Sequence, residues 1–292
     1  MKKTNGADFV FYPILHLFMI LVCIAMVYPF LFLLSQSFGG SAVMGLSLIP
    51  KQPTLSGYIR VFHNGYIWNG FRNTIFRVIL GTILTMFCTI ITAYPLAKRY
   101  FPNRSFWTGL LVFTMFFSGG LIPGYLLVRS VGIYNTIWAL VLPGLISTYN
   151  MIIMRNFFMS IPAELEESAR IDGAGEFMVL FRIVVPVSGP ILATVALWTI
   201  VGHWNAWFDS MIYISSGSKQ VLQQILRQIV LEGTMTLMDM NNMTSEISST
   251  GPITPDTVKA ATIMVATMPI LLVYPFLQKY FVKGVLIGSL KG

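Results

Sequence analysis

The sequence predicts an all-α integral membrane protein that crosses the membrane six times. Three observations predict this fold class. The chain of 292 residues is 55% hydrophobic and only 10% charged, whereas about 25% of the residues of a soluble domain are charged. It contains six apolar segments, each close to the roughly 20 residues that a helix needs to cross a bilayer. Its Lys and Arg residues are denser in alternate connecting segments, which indicates the cytoplasmic side.

The six predicted spans account for most of the chain, and we expect residues 1–292 to form a single membrane domain. The third span is interrupted by Ser118–Gly119–Gly120 and by Pro123–Gly124, so it should be bent or locally unwound. The fourth contains Pro143–Gly144. A polar loop is predicted at 160–185, and a long outer loop at 203–256. The predicted spans are 9–34, 71–97, 106–128, 136–158, 186–203 and 257–281.

The distribution of positive charge predicts that both termini lie on the cytoplasmic side of the membrane. The bias is sharpest in the short loops, where the rule applies best, and it also places the loop at 160–185 in the cytoplasm. The net charge of +8 would suggest a nucleic-acid partner for a soluble protein. In a membrane protein it indicates contact between cytoplasmic loops and anionic lipid, so we predict membrane lipid as a partner and no nucleic acid.

The most acidic part of the chain, Ser160 to Pro190, is predicted to form a short helix that ends in a turn. Ser160 suits the N-cap position and Pro162 the first helical turn. The glutamates that follow lie near the positive end of the helix dipole, where acidic groups are favoured. Gly173 and Gly175 are expected to end this helix, because glycine adopts left-handed backbone conformations at little cost.

One face of this predicted helix has side chains short enough for another backbone to approach it closely. Three-and-four spacing puts a set of mostly short side chains on that face. A second, mostly apolar helix is predicted from Glu176 to Val185, and Pro186 and Pro190 predict a bend into the fifth span. The residues of the small face are Leu165, Ser168, Ala169 and Asp172.

This stretch resembles a sequence motif of binding-protein-dependent ABC importers. The usual motif is Glu-Ala-Ala, three residues, Gly, nine residues and Ile-x-Leu-Pro. This chain has Glu167-Ser168-Ala169, three residues, Gly173, nine residues and Ile183-x-Val185-Pro186. Ser168 for Ala and Val185 for Leu are the two departures, and both keep size and shape. The match is long, gapped and in a membrane context, which makes it specific.

The resemblance extends over nearly the whole chain and favours a carbohydrate importer. The segment FSGGLIPGYLLVRSVGIYNTIWALVLPG and the tail YFVKGVLIGSLKG resemble the smaller, six-span permease of the maltose-transporter type. They most resemble the subgroup that handles oligosaccharides from complex polysaccharides. An acidic oligosaccharide, such as one derived from alginate or pectin, is a substrate that fits this subgroup.

The resemblance implies partners and a location for this chain. It implies a bacterial cytoplasmic (inner) membrane protein that pairs with a second, homologous permease, two ATP-binding subunits and an extracytoplasmic solute-binding protein. The chain itself lacks the Gly-x4-Gly-Lys-Ser/Thr phosphate loop, so we expect no cofactor on this chain, with ATP and Mg²⁺ on the partner ATPase, and no enzymatic activity of its own.

The resemblance also implies roles for five residues of the loop, which would be the coupling helix that docks on the ATPase. Glu167 would pair with a basic residue of that subunit. Ser168 and Ala169 would form the close-packing face, and Asp172 and Gly173 would form a turn that holds the helix rigidly. The tail from Val282 to Gly292 would be a secondary ATPase contact.

A second group of residues is predicted to line the substrate pathway, because sugars are usually held by aromatic faces and planar hydrogen-bonding groups. Each of these residues also has a structural alternative, as an interfacial aromatic belt, as a contact between helices, or as an Arg that extends to the interface. The candidates are Tyr125, Arg129, Tyr149, Asn150, His203, Trp204, Asn205, Trp207 and Asp209.

Alternative functions remain open at this point. One alternative is an ABC permease for another solute. Another is an ion-coupled secondary transporter, which typically has acidic residues inside its spans, and the six predicted span cores contain none. A membrane-embedded enzyme is disfavoured, because the sequence has no His-Glu-x-x-His, no Gly-x-Ser-x-Gly and no pair of carboxylates within a span.

Overall fold

The computed structural model describes residues 6–39, 49–50, 53–232 and 254–289, and this part of the chain is helical. Within these ranges it forms no β-strand beyond an isolated bridge between Gly39 and Pro53, which confirms the all-α class. The helices are α1 (Gly6–Ser37), α2 (Ser56–His63), α3 (Gly65–Ala97), α4 (Arg104–Phe116), α5 (Leu121–Ser130), α6 (Trp138–Val141), α7 (Thr148–Phe158), α8 (Ala163–Ile171), α9 (Glu176–Val179), α10 (Val185–Val187), α11 (Gly189–Asn205), α12 (Phe208–Tyr213), α13 (Leu222–Arg227) and α14 (Pro255–Ser289). Two π-helical turns, Leu180–Val184 and Gln228–Glu232, follow α9 and α13.

Two of the described helices are long and apolar enough to cross a membrane, α1 from Phe11 onward and α3. Two bent pairs pass the same test of length and composition. In the first, α4 and α5 meet at 111°, and the break falls on the glycines predicted to interrupt the third span. In the second, Glu176–Val187 and Gly189–Asn205 meet at 84°, next to the prolines predicted to cause a bend.

Residues 136–158, predicted as the fourth span, do not form one continuous helix. Helix α6 ends at Val141, a 3₁₀ turn covers Leu142–Gly144, and α7 begins only at Thr148. Pro143 explains the break, because proline has no N–H and its ring clashes with the carbonyl four residues earlier. Ser147 then caps α7 by accepting a hydrogen bond from the Asn150 N–H at 3.4 Å.

The described residues fall into two compact units. The first comes from Met1–Gly65 and Leu226–Met268. In it the Thr257 hydroxyl donates to the Gly39 carbonyl at 2.7 Å, and the Ser37 and Tyr58 hydroxyls are hydrogen-bonded at 2.8 Å. The side chains of α1 that the structure describes are mostly exposed and apolar up to Leu34, as expected for a helix that faces lipid.

The second unit comes from Tyr66–Ile225 and Pro269–Gly292, and it contains the polar loop. Its core packs the C-terminal part of α3 against α7, α9, the following π-helical turn and α11. The most deeply buried side chains are aliphatic and aromatic residues together with two methionines. The flexible methionine side chain fills irregular spaces well. The core residues are Ile90, Ala93, Tyr94, Leu96, Ala97, Met151, Met154, Phe158, Val179, Leu180, Val184 and Val195.

Candidate functional site

The polar loop contains the predicted short helix, α8, and its N-cap lies two residues later than expected. Pro162 is the N-cap residue and the helix starts at Ala163, so the predictions that Ser160 caps the helix and that Pro162 lies in its first turn are wrong. The Ser160 hydroxyl instead donates to the Phe157 carbonyl at 2.7 Å, which belongs to the end of α7. Glu164 and Glu166 lie in the first turn of α8, where the helix dipole favours negative charge.

Gly173 ends α8 as predicted, because it lies in the left-handed region with φ of +85°. Two hydrogen bonds close the end of the helix. The Gly173 N–H donates to the Arg170 carbonyl at 3.0 Å, and the Ala174 N–H donates to the Ala169 carbonyl at 2.9 Å. This is the pairing of a Schellman motif. The same prediction for Gly175 is wrong, since its φ is −73° and it serves as the N-cap residue of α9.

Glu166 is the buried residue of α8, with 4% of its surface exposed. One carboxylate oxygen forms an ion pair with the Lys98 ammonium, one residue beyond the end of α3. The other oxygen accepts a hydrogen bond from the Arg170 guanidinium at 3.3 Å, one helical turn further along α8. A carboxylate is buried at tolerable cost only when it is paired in this way.

Glu176, at the start of α9, accepts hydrogen bonds from three other side chains. The Tyr94 and Tyr100 hydroxyls donate to its Oε2 at 2.9 and 3.0 Å. The Arg170 Nε donates to its Oε1 at 3.1 Å, and Arg170 also donates to the Tyr100 hydroxyl at 2.8 Å. We call these side chains the α8–α9 polar network. Its members are Tyr94, Lys98, Tyr100, Glu166, Arg170 and Glu176.

Two pKa shifts follow from the network. The hydrogen bond to Glu176 raises the pKa of the Arg170 guanidinium above its already high usual value, so Arg170 keeps its charge at any physiological pH. Burial raises the pKa of the Tyr100 hydroxyl, and the hydrogen bond to Glu176 raises it further. Tyr100 therefore stays a neutral donor to that carboxylate.

A cavity of about 250 Å³ lies beside the network, between the end of α3 and the start of α9. Tyr94, Lys98 and Glu176 line it together with apolar side chains, among them Phe101 and Phe177. The polar network therefore borders an open space between the end of α3 and the start of α9.

The five residues predicted to contact an ATPase lie along α8 and its C-terminal turn, but they do not share one exposed face. Glu167, Ser168, Asp172 and Gly173 are exposed. Within the described part of the chain, the Glu167 side chain has no hydrogen bond or ion pair. Ala169 differs, because it is only partly exposed and packs against the core of its own chain. Leu165 and Ile171 add apolar surface, with 43% and 85% exposed.

Among the predicted pathway residues, three cluster near α3. Asp209 forms an ion pair with Arg77 of α3, which is itself buried. The ring of His203 lies against Gly81, where a Cβ atom would overlap the imidazole. Trp204 is buried with its ring 6.2 Å from that of Phe71. Asp209 and Trp204 therefore have structural contacts within this chain.

A separate aromatic group forms around Arg129. Its guanidinium carbon lies 5.8 Å from the ring centre of Tyr125 and 5.6 Å from that of Tyr134. Tyr213 stacks on Tyr125 at 6.4 Å. The structure thus brings two predicted residues, Tyr125 and Arg129, together with two tyrosines that were not predicted.

The remaining pathway candidates are dispersed. Tyr149 is exposed, with its ring 6.0 Å from that of Trp198. Asn150 is half-buried in the first turn of α7, and Asn205 is the exposed last residue of α11. Trp207 contacts the ring of Phe208 edge-on at 5.6 Å. The structure does not gather the nine candidates into one site.

Sequence reasoning missed the residues that hold the loop in place, namely Lys98, Glu166, Arg170 and Glu176, and also Arg77. Part of the signal was visible, because Glu166 and Arg170 have the four-residue spacing that pairs opposite charges on a helix. The partners Lys98 and Arg77 lie 68 and 132 positions from the carboxylates they bind. No local pattern links residues so far apart in the chain.

Comparison with known proteins places the chain in a family. The family model described as "Binding-protein-dependent transport system inner membrane component" matches residues 75–287. Protein LplC of Bacillus subtilis (strain 168) is 43% identical over 267 residues, which cover 90% of this chain and 89% of that protein. The polygalacturonan/rhamnogalacturonan transport system permease protein YtcP of the same organism is 39% identical over 293 residues, which cover 99% of this chain and 100% of that protein.

A solved structure agrees with this result. It is a bacterial ABC transporter involved in the import of the acidic polysaccharide alginate, and one of its chains is 27% identical to this one. The two superpose with a TM-score of 0.89 over 96% of this chain and 100% of that one. The resemblance inferred from the Glu167–Pro186 motif is confirmed. This chain belongs to the family of inner membrane components of binding-protein-dependent transport systems.

Proposed function

We propose that this chain is the transmembrane permease subunit of an ATP-driven importer that moves oligosaccharides into the cytoplasm by alternating access. The observation that carries this proposal is the geometry of α8. The helix presents Glu167 and Ser168 outward, while its buried face is joined through Glu166 and Arg170 to the rest of its unit. A helix whose outer face is exposed and whose buried face is fixed to the rest of its unit is suited to transmit the movement of a docked partner.

In this proposal α8 is the coupling helix and docks on an ATP-binding subunit. Glu167 pairs with a basic residue of that subunit, and Ser168 lets the two backbones approach closely. Ala169 does not contact the ATPase in this proposal. It packs against the core of its own chain and so helps to fix α8 in place. Asp172 and Gly173 set the tight turn that directs the chain into α9. The tail from Val282 is a further ATPase contact in this proposal, and its side chains lie outside those described.

The membrane arrangement in this proposal has six spans with both termini in the cytoplasm. α1, α3 and the two bent pairs support four of these crossings by length and composition. Residues 136–158 and 257–281 supply the other two. The 84° bend between α10 and α11 then directs the chain from the cytoplasmic loop into the fifth crossing.

Membership of this family supports the proposed partners, because the family is described as binding-protein-dependent. We propose a second, related permease, two ATP-binding subunits that hold ATP and Mg²⁺, and a solute-binding protein outside the membrane. ATP binding would close the ATPase subunits and displace α8. The spans would then open outward toward the docked binding protein, and ATP hydrolysis would reset them. Substrate moves only if its binding energy differs between the two states.

The proposed substrate is an acidic oligosaccharide. A relative that covers the whole chain is named for polygalacturonan and rhamnogalacturonan, and the solved importer is named for alginate. Both named polysaccharide classes carry carboxylate groups. Of the nine pathway candidates, the exposed Arg129 has a cation and aromatic rings together, which suits an acidic sugar.

The test is to reconstitute the chain with its candidate permease, ATPase and binding protein, and to measure ATP hydrolysis with acidic and neutral oligosaccharides. We expect acidic sugars to stimulate hydrolysis. Glu167→Ala should weaken ATPase association by about tenfold or more, the effect of losing one charge-assisted contact. The control is Asp256→Ala, which removes an exposed carboxylate at the start of α14.

Each of the following results would contradict the proposal. Stimulation by neutral sugars alone would refute the acidic substrate class. A complex that never forms, or that forms equally well with Glu167→Ala and Asp256→Ala, would refute the docking role of α8. Uptake driven by an ion gradient without ATP would favour the secondary transporter instead.

A further inference from the structure

Two glutamates that are neighbours in the sequence have different surroundings in α8. Successive residues of an α-helix are about 100° apart around its axis, so adjacent side chains face different surroundings. Glu167 is exposed, whereas Glu166 is buried against Lys98 and Arg170. The glutamate that the family motif emphasises faces outward, and the one before it faces the protein.

The buried glutamate connects α8 to the end of α3. Lys98 follows the last residue of α3 directly, and its ammonium also lies 4.5 Å from the centre of the Tyr94 ring. The side chains of Lys98 and Glu166 are 11% and 5% exposed. At that exposure the pair is poorly screened by water and salt. It is therefore a short, directional link between two helices.

The second carboxylate of the network connects the same helices to α9. Glu176 accepts from Tyr94 in the last turn of α3 and from Arg170 in the last turn of α8. Two carboxylates and two cations are present, so the charges of the network balance. The links join α8 and α9 to the end of α3 and also to each other, and together they make a rigid junction of three elements.

We propose that Glu166 is a positioning residue that makes α8 and the C-terminal end of α3 move as one body. This inference rests on the proposed function, because it concerns how displacement of α8 reaches the membrane spans. Along the chain, the displacement passes from α8 directly into α9 and α11, which belong to the bent helix pair. Through Glu166 and Lys98 it also reaches α3, the longest described helix of this unit.

The experiment measures how much sugar the reconstituted complex transports for each ATP hydrolysed. Lys98→Gln and Glu166→Gln break the link, and the neighbouring Arg99→Gln is the matched control, because Arg99 is exposed and forms no ion pair within the described residues. We expect the first two variants to assemble and hydrolyse ATP while the transport-to-hydrolysis ratio falls about five-fold or more, the lower end of measured coupling effects. Arg99→Gln should keep the wild-type ratio.

Two further variants distinguish positioning from simple stabilisation. Lys98→Arg keeps the positive charge and should retain the wild-type ratio. The double variant Lys98→Gln with Glu166→Gln should be no worse than the worse single variant, because both remove the same link. Loss of folded protein alone would lower the amount of complex and leave the ratio unchanged.

A wild-type ratio in Lys98→Gln or Glu166→Gln would overturn the inference, as would equal losses in Lys98→Gln and Arg99→Gln. If Lys98→Gln does not assemble, Glu166→Gln carries the test by the same criteria, since it keeps the shape of the side chain. These failures differ from failure of the proposed function. In that case the wild-type complex itself shows no sugar-stimulated hydrolysis.

Discussion

Arg77 and Asp209 lie 132 positions apart in the sequence and form a bidentate ion pair in the structure. The Arg77 Nη1 donates to Oδ1 of Asp209 at 3.1 Å, and Nη2 donates to Oδ2. Arg77 also donates to the carbonyls of Leu140 and Ala206, at 3.2 and 3.4 Å. One side chain of α3 therefore holds α6 and the connection between α11 and α12.

We expect Asp209→Asn to destabilise the protein, because it leaves the buried Arg77 without its counter-charge. Removing one partner of a buried ion pair costs about 3–5 kcal/mol. The carboxylate is 29% exposed, so a value near the lower end is expected. Fluorescence-detected thermal unfolding in detergent measures the change.

Asp256→Asn is the control for this prediction, since the Asp256 side chain is exposed and such substitutions usually change stability by less than about 0.5 kcal/mol. Equal melting temperatures for Asp209→Asn and the wild type would contradict the structural role of the pair. Asp209 would then be free to act in the substrate pathway.

Gly173→Ala should destabilise the turn after α8 through backbone conformation alone. Gly173 has a φ of +85°, in the left-handed region. A residue with a Cβ atom is strained in that conformation, at a cost of about 1–2 kcal/mol. A Cβ atom at this position would meet nothing within 4 Å, so steric overlap does not contribute. The measurement is the melting temperature of the purified chain.

Gly175→Ala is the matched control for the turn, because Gly175 also has open space around it but has a φ of −73°. We expect this variant to match or slightly exceed the wild type in stability. A larger loss for Gly175→Ala than for Gly173→Ala would mean that the left-handed residue has been assigned to the wrong position.

Gly81→Ala should force the His203 ring out of its place. A methyl group at residue 81 would overlap the imidazole, and overpacking of this kind costs about 1–3 kcal/mol. Gly109→Ala is the control in another apolar helix, where a Cβ atom would meet nothing within 4 Å. It should be stabilising by about 0.5–1 kcal/mol, because alanine is the better helix former.

The double variant Gly81→Ala with His203→Ala tests the same contact from the other side. Removing the imidazole frees the space that the new methyl group needs, so the double variant should melt above Gly81→Ala alone. No recovery in the double variant would show that the loss at Gly81 has a cause other than contact with His203.

Much of the helical order could be predicted because it depends on local chemistry. The apolar runs, the break at Ser118–Gly120 and the bend at Pro186–Pro190 depend on hydropathy and on the special backbones of glycine and proline. The prediction was weaker where two local signals competed. At residues 136–158 the apolar length indicated a span, but Pro143 interrupts the helix there.

The candidate site was predicted in part. The motif identified α8 and its turn, since both are encoded within a few consecutive residues. It did not show that Ala169 faces inward or that Glu166 is the buried glutamate. The aromatic and polar pathway candidates were chosen by residue type, and type alone does not distinguish a free Asp209 from one that is paired with Arg77.

By itself the sequence determined the all-α class, the apolar helices, the left-handed turn at Gly173 and the family to which the chain belongs. These depend on composition and on spacings of a few residues. Only the tertiary structure decided which charges meet, such as Lys98 with Glu166 and Arg77 with Asp209. The reason is physical: an ion pair depends on distance in space, and packing brings together residues whose separation along the chain carries no local signal.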